Sequence, residues 1–233
     1  GPALSPKRLA GVLQARGIAG AVMLPFNTAQ DLSEFDFSRI AAVQMDHCLI
    51  QPRLHTILPE HYLAMTQALE RLTQRGYQRI GLALDRRRDA RLKNKWSASF
   101  LAYFRGTPAA GQNPLLDVPV ITRSNFLQWF RRDRPDVVIG HLEAMVDWLA
   151  EIGLRVPQDV GFLNLNVTES TRSCAGLDLE PRRLGAAAVE SVVAMLHRQE
   201  RGIPAYPKTI TLEATWVEGP TLRAESRAAA GVT

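Results

Sequence analysis

Five histidines, His47, His55, His61, His141 and His197, carry the side chains best suited to proton transfer or metal ligation near neutral pH, and they lie scattered along the sequence. No two hold the spacing that sets a pair of imidazoles on one helical face around a metal ion. His47 and His141 each follow an apolar run that reads as a strand, which makes them candidates for a ligand cleft. His61 and His197 fall in helical stretches and read most simply as surface residues. Carboxylates are many, but no spacing singles out one as acid and another as base. The Gly-x-Ser-x-Gly nucleophile elbow, the phosphate loop ending in Gly-Lys-Ser/Thr, the His-Glu-x-x-His zinc motif and the Gly-x-Gly-x-x-Gly dinucleotide turn do not occur. Asn166-Val167-Thr168 matches a glycosylation sequon, which a cytosolic protein would not use. The residues therefore point away from an enzyme, and from any metal or cofactor.

The excess of base over acid, +5, gathers in DRRRDARLKNK (85–95) and RRDRP (131–135). Basic clusters can grip phosphate. Both contain aspartates, neither is interleaved with aromatics, and neither sits in a nucleic-acid motif, so solvated helix ends and loops are the plainer reading. With 233 residues, 46% hydrophobic and 22% charged, the chain has a globular composition and room for one large domain or two small ones. Its apolar runs are short and interrupted, so no membrane span is expected, and no secretory leader is visible. Cys48 and Cys174 form no Cys-x-x-Cys pair and read as core thiols of a reducing compartment, which fits a cytoplasmic location.

The elements that must position these residues alternate between strand and helix. Ser5 and Pro6 open a helix as N-cap and first residue, Gly17 stops it, and AGAVMLP follows as a buried strand. FSRIAAVQM (37–45) is the next strand. PEHYLAMTQALERLTQRGY (59–77) is the clearest amphipathic helix, with Leu63, Ala64, Ala68, Leu69 and Leu72 on one face, and RIGLAL is the strand after it. WSASFLAYFRG ends a further helix, VPVIT (118–122) reads as a short strand, SNFLQWFRRDR as a helix and PDVVIGH as a β-branched strand. LEAMVDWLAEIG is helical and DVGFLNLN a strand, with Gly153 and Val156-Pro157 closing the helix before it. EPRRLGAAAVESVVAMLHRQERG (180–202) is a long helix, and TITLEATWVEG a final extended segment. Such alternation predicts an α/β protein with a mostly parallel sheet covered on both faces. Ligands of such sheets bind beyond the carboxyl ends of strands, which directs attention to Asn164–Thr168.

Four stretches carry a likeness to a known family: PEHYLAMTQALERLTQRGYQRIGLAL, RPDVVIGHLEAMVDWLAEIGLRVPQDVGFLNLN, GLDLEPRRLGAAAVESVVAMLHR and ITLEATWVEGPTLR. Their order and patterns, above all the Gly-x-x-Val-Pro-x-Asp-Val run at 153–160, resemble the effector-binding domain of LacI-family transcriptional regulators. The resemblance covers most of residues 17–223. It implies the type I periplasmic-binding-protein-like fold, two doubly wound parallel-sheet lobes with a hinge, and a small molecule such as a sugar or nucleobase held between them. It further implies a homodimer whose DNA contacts come from a helix-turn-helix head absent from this chain. Residues 1–57 and 180–210 would form the N-terminal lobe, 58–179 and 211–223 the C-terminal lobe, and 224–233 a flexible tail. The family's first strand-helix-strand unit has no counterpart here, so an incomplete N-terminal lobe is expected, with a gap in the sheet beside AGAVMLP. An extracytoplasmic solute-binding protein for a transporter shares the fold and is the alternative class. A regulator domain that has lost its effector is the other.

Carried over position by position, the resemblance names five candidate ligand contacts and shows how far this chain departs from the pattern. Pro59 stands where the family opens its first C-lobe helix with an Asp, and cannot play that part. Trp96 stands where the family has an Arg; it could stack on a ring but cannot replace a guanidinium fork, and a core or lid role is the plainer reading. Glu143 replaces an Asp, Asn166 an Asp and Glu180 a Gln, all still able to bond hydroxyls. His47 follows the strand where some members carry a ring-stacking residue.

Overall fold

The computed structural model describes residues 5–25, 28–106 and 113–224. In chain order its elements are α1 (Pro6–Ala15), β1 (Gly20–Met23), β2 (Gln30–Asp31), β3 (Ala41–Met45), β4 (Leu49–Gln51), β5 (His55–Pro59), α2 (His61–Gln74), β6 (Ile80–Asp85), α3 (Arg86–Arg91) and α4 (Lys95–Phe104). There follow β7 (Leu115–Val118), α5 (Arg123–Asp133), β8 (Val137–Gly140), α6 (Ala144–Glu151), β9 (Gly161–Asn164), a single 3-10 turn (Val167–Glu169), β10 (Ala175–Asp178), α7 (Pro181–His197), β11 (Thr209–Leu212) and β12 (Thr215–Val217). The chain divides into two compact units, Gly1–Pro59 with Glu180–Leu212, and Glu60–Leu179 with Glu213–Thr233.

Unit 1 is built on a four-stranded parallel sheet in the order β1-β3-β5-β11. The side-chain period of two sorts β3 between its faces. Ala41 and Val43 meet Leu184, Ala188, Val192 and Met195 of α7, while Ala42 joins Ala10 of α1 with Phe35, Phe37 and Ile40. Ser5 caps α1 by accepting from the Arg8 amide at 3.4 Å, and Gly17, at φ +69°, closes it, both as the sequence predicts. At Gly20 a Cβ would stand 2.6 Å from Val192, so α7 lies against the sheet only because that position has no side chain. Among the described residues β1 pairs with β3 alone. The short strand β5 was not foreseen: its apolar run, Thr56-Ile57-Leu58, is too brief and too close to prolines to stand out, yet Ile57 and Leu58 are fully buried.

Unit 2 is a six-stranded sheet in the order β12-β10-β9-β8-β6-β7, parallel throughout except for β12 on its edge. Alternation again decides the faces. Ile80, Leu82 and Leu84 of β6, Val137 and Ile139 of β8 and Leu163 of β9 turn toward α2 and α4, where Ala64, Met65, Ala68, Leu69, Leu72, Trp96 and Phe100 complete one core. Ala83, Val138 and Phe162 turn the other way, onto Phe126, Leu127, Trp129 and Phe130 of α5 and Met145, Val146 and Leu149 of α6. The fold is the α/β class expected, with helices on both faces of each sheet.

Two of the elements read from the sequence differ in the structure. The strand expected at 118–122 sits earlier, at Leu115–Val118, because Thr122 is taken by a capping box: its hydroxyl accepts from the Asn125 amide and Asn125 Oδ1 accepts from the Thr122 amide. The extended segment at the end is two strands: β11 pairs with β5 in unit 1, and β12 pairs antiparallel with β10 in unit 2. The tail expected to be loose, 224–233, lies but for Ala224 outside the described residues. Among the described residues no helix is long and apolar enough to cross a membrane.

Candidate functional site

In unit 2 the chain leaves β6 for β7 on one side and then returns to place β8 on the other. That reversal is a topological switch point, where the loops leaving two neighbouring strands diverge and open a crevice beyond the carboxyl end of the sheet. Ala83, Gly140 and Asn164 are in register on β6, β8 and β9, so Asp85, His141 and Leu165-Asn166 come together at that edge. β6 runs straight into α3, which brings the cations of the 85–95 patch to the same place.

The arginines of that patch divide by partner. Arg86 is locked outward, with Nε at 3.0 and 3.1 Å from the two carboxylate oxygens of Asp117 and Nη2 on the Asp117 carbonyl. Arg88 is held loosely: its guanidinium lies 4.0 Å from Asp85 and 3.7 Å from Glu169, beyond hydrogen-bond range. Asp85 is itself pinned, accepting from the Ile121 amide. Asp89 is 4% exposed and works for the backbone, accepting from the amides of Trp96 at 3.2 Å and Ser97 at 3.4 Å. It supplies the cap that α4 otherwise lacks, since Asn94, in the left-handed region at φ 56°, offers no side-chain cap.

Behind the arginines lies a row of rings. His61, at the start of α2, meets Trp96 edge-on at 4.9 Å, and Trp96 meets His141 edge-on at 6.4 Å. His61 is 2% exposed, so the surface position expected for it gives way to a core one: α2 begins against α4, and its first residue is carried inward. His141, just past β8, has no hydrogen-bond partner among the described residues. Burial, with the positive charges of Arg88 and Arg91, pushes its pKa down to about 3, so the ring is neutral at physiological pH. It therefore offers one N–H donor and one acceptor nitrogen.

Of the five candidate contacts, Trp96, Glu143 and Asn166 fall in unit 2 at this edge, while His47 and Glu180 belong to unit 1. Trp96 is 0% exposed and part of the core, so it forms the floor beneath His141 and does not present a face for stacking, in line with the plainer reading of it. Its indole N–H is buried without an acceptor among the described residues. Glu143 is engaged by the loop after the 3-10 turn, accepting from the Ser170 and Thr171 hydroxyls and from the Thr171 and Arg172 amides. Those bonds, the Ser170 hydroxyl first, hold its carboxyl down to about 2. Asn166 Oδ1 accepts from the Thr168 hydroxyl at 2.6 Å and its backbone N–H donates to Asn164 Oδ1 at 2.9 Å, while its side-chain Nδ2 donates to no described residue. In unit 1, His47 is half-buried after β3, beside Asp46 in the left-handed region at φ 55°. Glu180 caps α7 at φ 55° with no side-chain capping bond. Sequence reading made His141 a candidate for a ligand cleft but did not join the 85–95 patch to it. The signal was present, since an arginine run placed directly after the apolar strand RIGLAL must emerge at that strand's carboxyl end. Among the described residues no group of histidines, cysteines and carboxylates could hold a metal ion.

This architecture is shared with known proteins. No curated protein matches the chain. A LacI-family transcriptional regulator protein from Rhizobium etli superposes with a TM-score of 0.70 at 19% identity, covering 93% of this chain and 83% of that one. A LacI transcriptional regulator from a Rhodococcus species superposes at 0.71 with 16% identity, over 93% and 82%. A periplasmic binding protein/LacI transcriptional regulator from Alkaliphilus metalliredigens, complexed with D-xylulofuranose, superposes at 0.66 with 16% identity, over 94% and 83%. A family model described as a periplasmic binding protein-like domain matches residues 69–222. With well over half of its length matched, including both strands that flank the switch point, the chain belongs to the periplasmic binding protein-like domain family.

Proposed function

We propose that the chain is the ligand-sensing and dimerisation domain of a LacI-type DNA-binding transcriptional regulator, responding to a sugar or nucleobase-like effector. One observation carries the reading: the switch point of unit 2 gathers polar groups, His141 and Asn166, whose hydrogen-bonding capacity is unfilled among the described residues, over a floor of buried rings. A buried hydroxyl or amide of a ligand needs such partners, since each one left unpaired costs about 1–3 kcal/mol. The fold shared with regulators, one of them complexed with a sugar, supports the reading. DNA would be contacted through a helix-turn-helix head joined to this domain, in a cytoplasmic homodimer.

The test is a thermal-shift screen of the purified chain against sugars and nucleobases. A true effector at a hundred times its Kd adds about 2.7 kcal/mol of stability. A response to none of them would favour a domain whose regulation no longer depends on a small molecule. The solute-binding protein of a transporter is separated by the coding sequence upstream, where a helix-turn-helix supports the regulator and a signal peptide overturns it.

A further inference from the structure

The position and partners of Arg88 go beyond the polarity of the site to its charge; the inference rests on the switch point of unit 2 being the sensing site. Arg88 rises from α3, beyond β6, and reaches Glu169 on the 3-10 turn beyond β9. Because β8 lies between those strands, the pair passes over the end of β8, where His141 stands. The lateral span is about two strand spacings, roughly 10 Å. The pair is thus a strap across the mouth of the switch point.

It is a weak strap. At 3.7 Å it is an ion contact without a hydrogen bond, and its members are exposed, Arg88 at 48% and Glu169 at 67% of their side chains. Exposed ion pairs of that kind add little to stability. The second carboxylate near Arg88, Asp85, is at 4.0 Å and committed to the Ile121 amide. Among the described residues the guanidinium therefore has donors to spare and no partner using its planar fork. A carboxylate or phosphate that accepted two parallel N–H bonds from it would displace Glu169 easily. His141 beneath is uncharged, so it can bond the polar body of the same molecule.

We propose that the switch point of unit 2 takes an anionic small molecule, with a carboxylate or phosphate on Arg88 and its polar remainder over His141, and that Glu169 is the exchangeable counterion holding the place of that anion. Arg91 adds positive field at the same edge, since its charge acts on His141 alongside that of Arg88. Displaced, Glu169 frees the 3-10 turn, so occupancy is reported to the loop that runs on to the Glu143 contacts at 170–172.

The test is calorimetric titration of the full chain, at constant ionic strength, with gluconate, glucose 6-phosphate, inorganic phosphate and neutral glucose. The first two separate a carboxylate from a phosphate as the anchoring group. An anionic probe is expected to bind at least about tenfold tighter than glucose, a difference of 1.4 kcal/mol. Arg88→Gln should weaken that probe at least tenfold, Arg88→Lys should restore part of it, and Glu169→Gln should tighten it several-fold. A gain in affinity cannot come from a damaged fold, so the last variant keeps the test decisive. Glucose binding that equals the anions and ignores Arg88→Gln overturns the anion assignment while leaving the sensing site standing. Failure of all four probes to bind counts against both.

Discussion

His141 shows how one side chain can carry a site's electrostatics. Its ring is held neutral first by burial and then by the guanidinium charges of Arg88 and Arg91, with a folded pKa of about 3 against an ordinary 6.5. Between those values the unfolded chain binds the proton and the native chain does not, so this residue opposes stability increasingly as pH falls from 6.5 toward 3 and has no such effect above 6.5. The slope is at most about 1.4 kcal/mol per pH unit. Replacing His141 with Asn removes the titration. Thermal melts of the variant and the parent should therefore diverge below pH 6.5, with the parent losing more, and run parallel above it; equal acid sensitivity would place His141 in solvent. Glu143 behaves in the opposite charge sense but with the same pH direction. Its bonds to the 170–172 loop are whole above about 4.5 and fade as pH falls toward 2.

At the scale of elements, the site depends on the hinge between α3 and α4. Two residues in the left-handed region, Lys93 at φ 59° and Asn94 at φ 56°, turn the chain between them. Asp89 then reaches across that turn to cap α4 from the preceding helix. The carboxylate sets Trp96 under His141 and fixes where α3 ends, and so where Arg88 is presented. Asp89→Ala removes a buried cap and is expected to cost about 2 kcal/mol, measured by denaturant unfolding. The same variant should weaken effector binding although Asp89 faces the backbone. Unchanged stability would mean that the Trp96 and Ser97 amides find another acceptor.

For the whole molecule, each of the two units has cores of its own, and they are unequal. The buried clusters of unit 1, around Val43 and Ile57 and around Phe35 and Ile40, are much smaller than those of unit 2 around Leu69 and Phe126. Since burial supplies about 25 cal/mol per Å² of apolar surface, local stability should follow that order. Hydrogen exchange is expected to protect β8 and β9 longest, with β3 and β5 opening earlier; the reverse order would show that stability here is not governed by core size.

Local signals written in neighbouring residues were legible from the sequence alone. Ser5-Pro6 opens α1 and Gly17 closes it, the period along α2 marks its buried face, and the alternation of strand and helix states the α/β class. Strand pairing was not legible in the same way. β5 and the division of 209–217 between two sheets depend on partners distant in sequence, and short apolar runs do not name their neighbours. The site followed the same rule. The sequence marked His141, Asn166 and an arginine-rich stretch, but it could not show that Arg88 reaches Glu169 across the end of β8, nor that Trp96 lies beneath His141. Those facts come from strand order, because the reversal between β7 and β8 is what sets the ends of β6, β8 and β9 side by side.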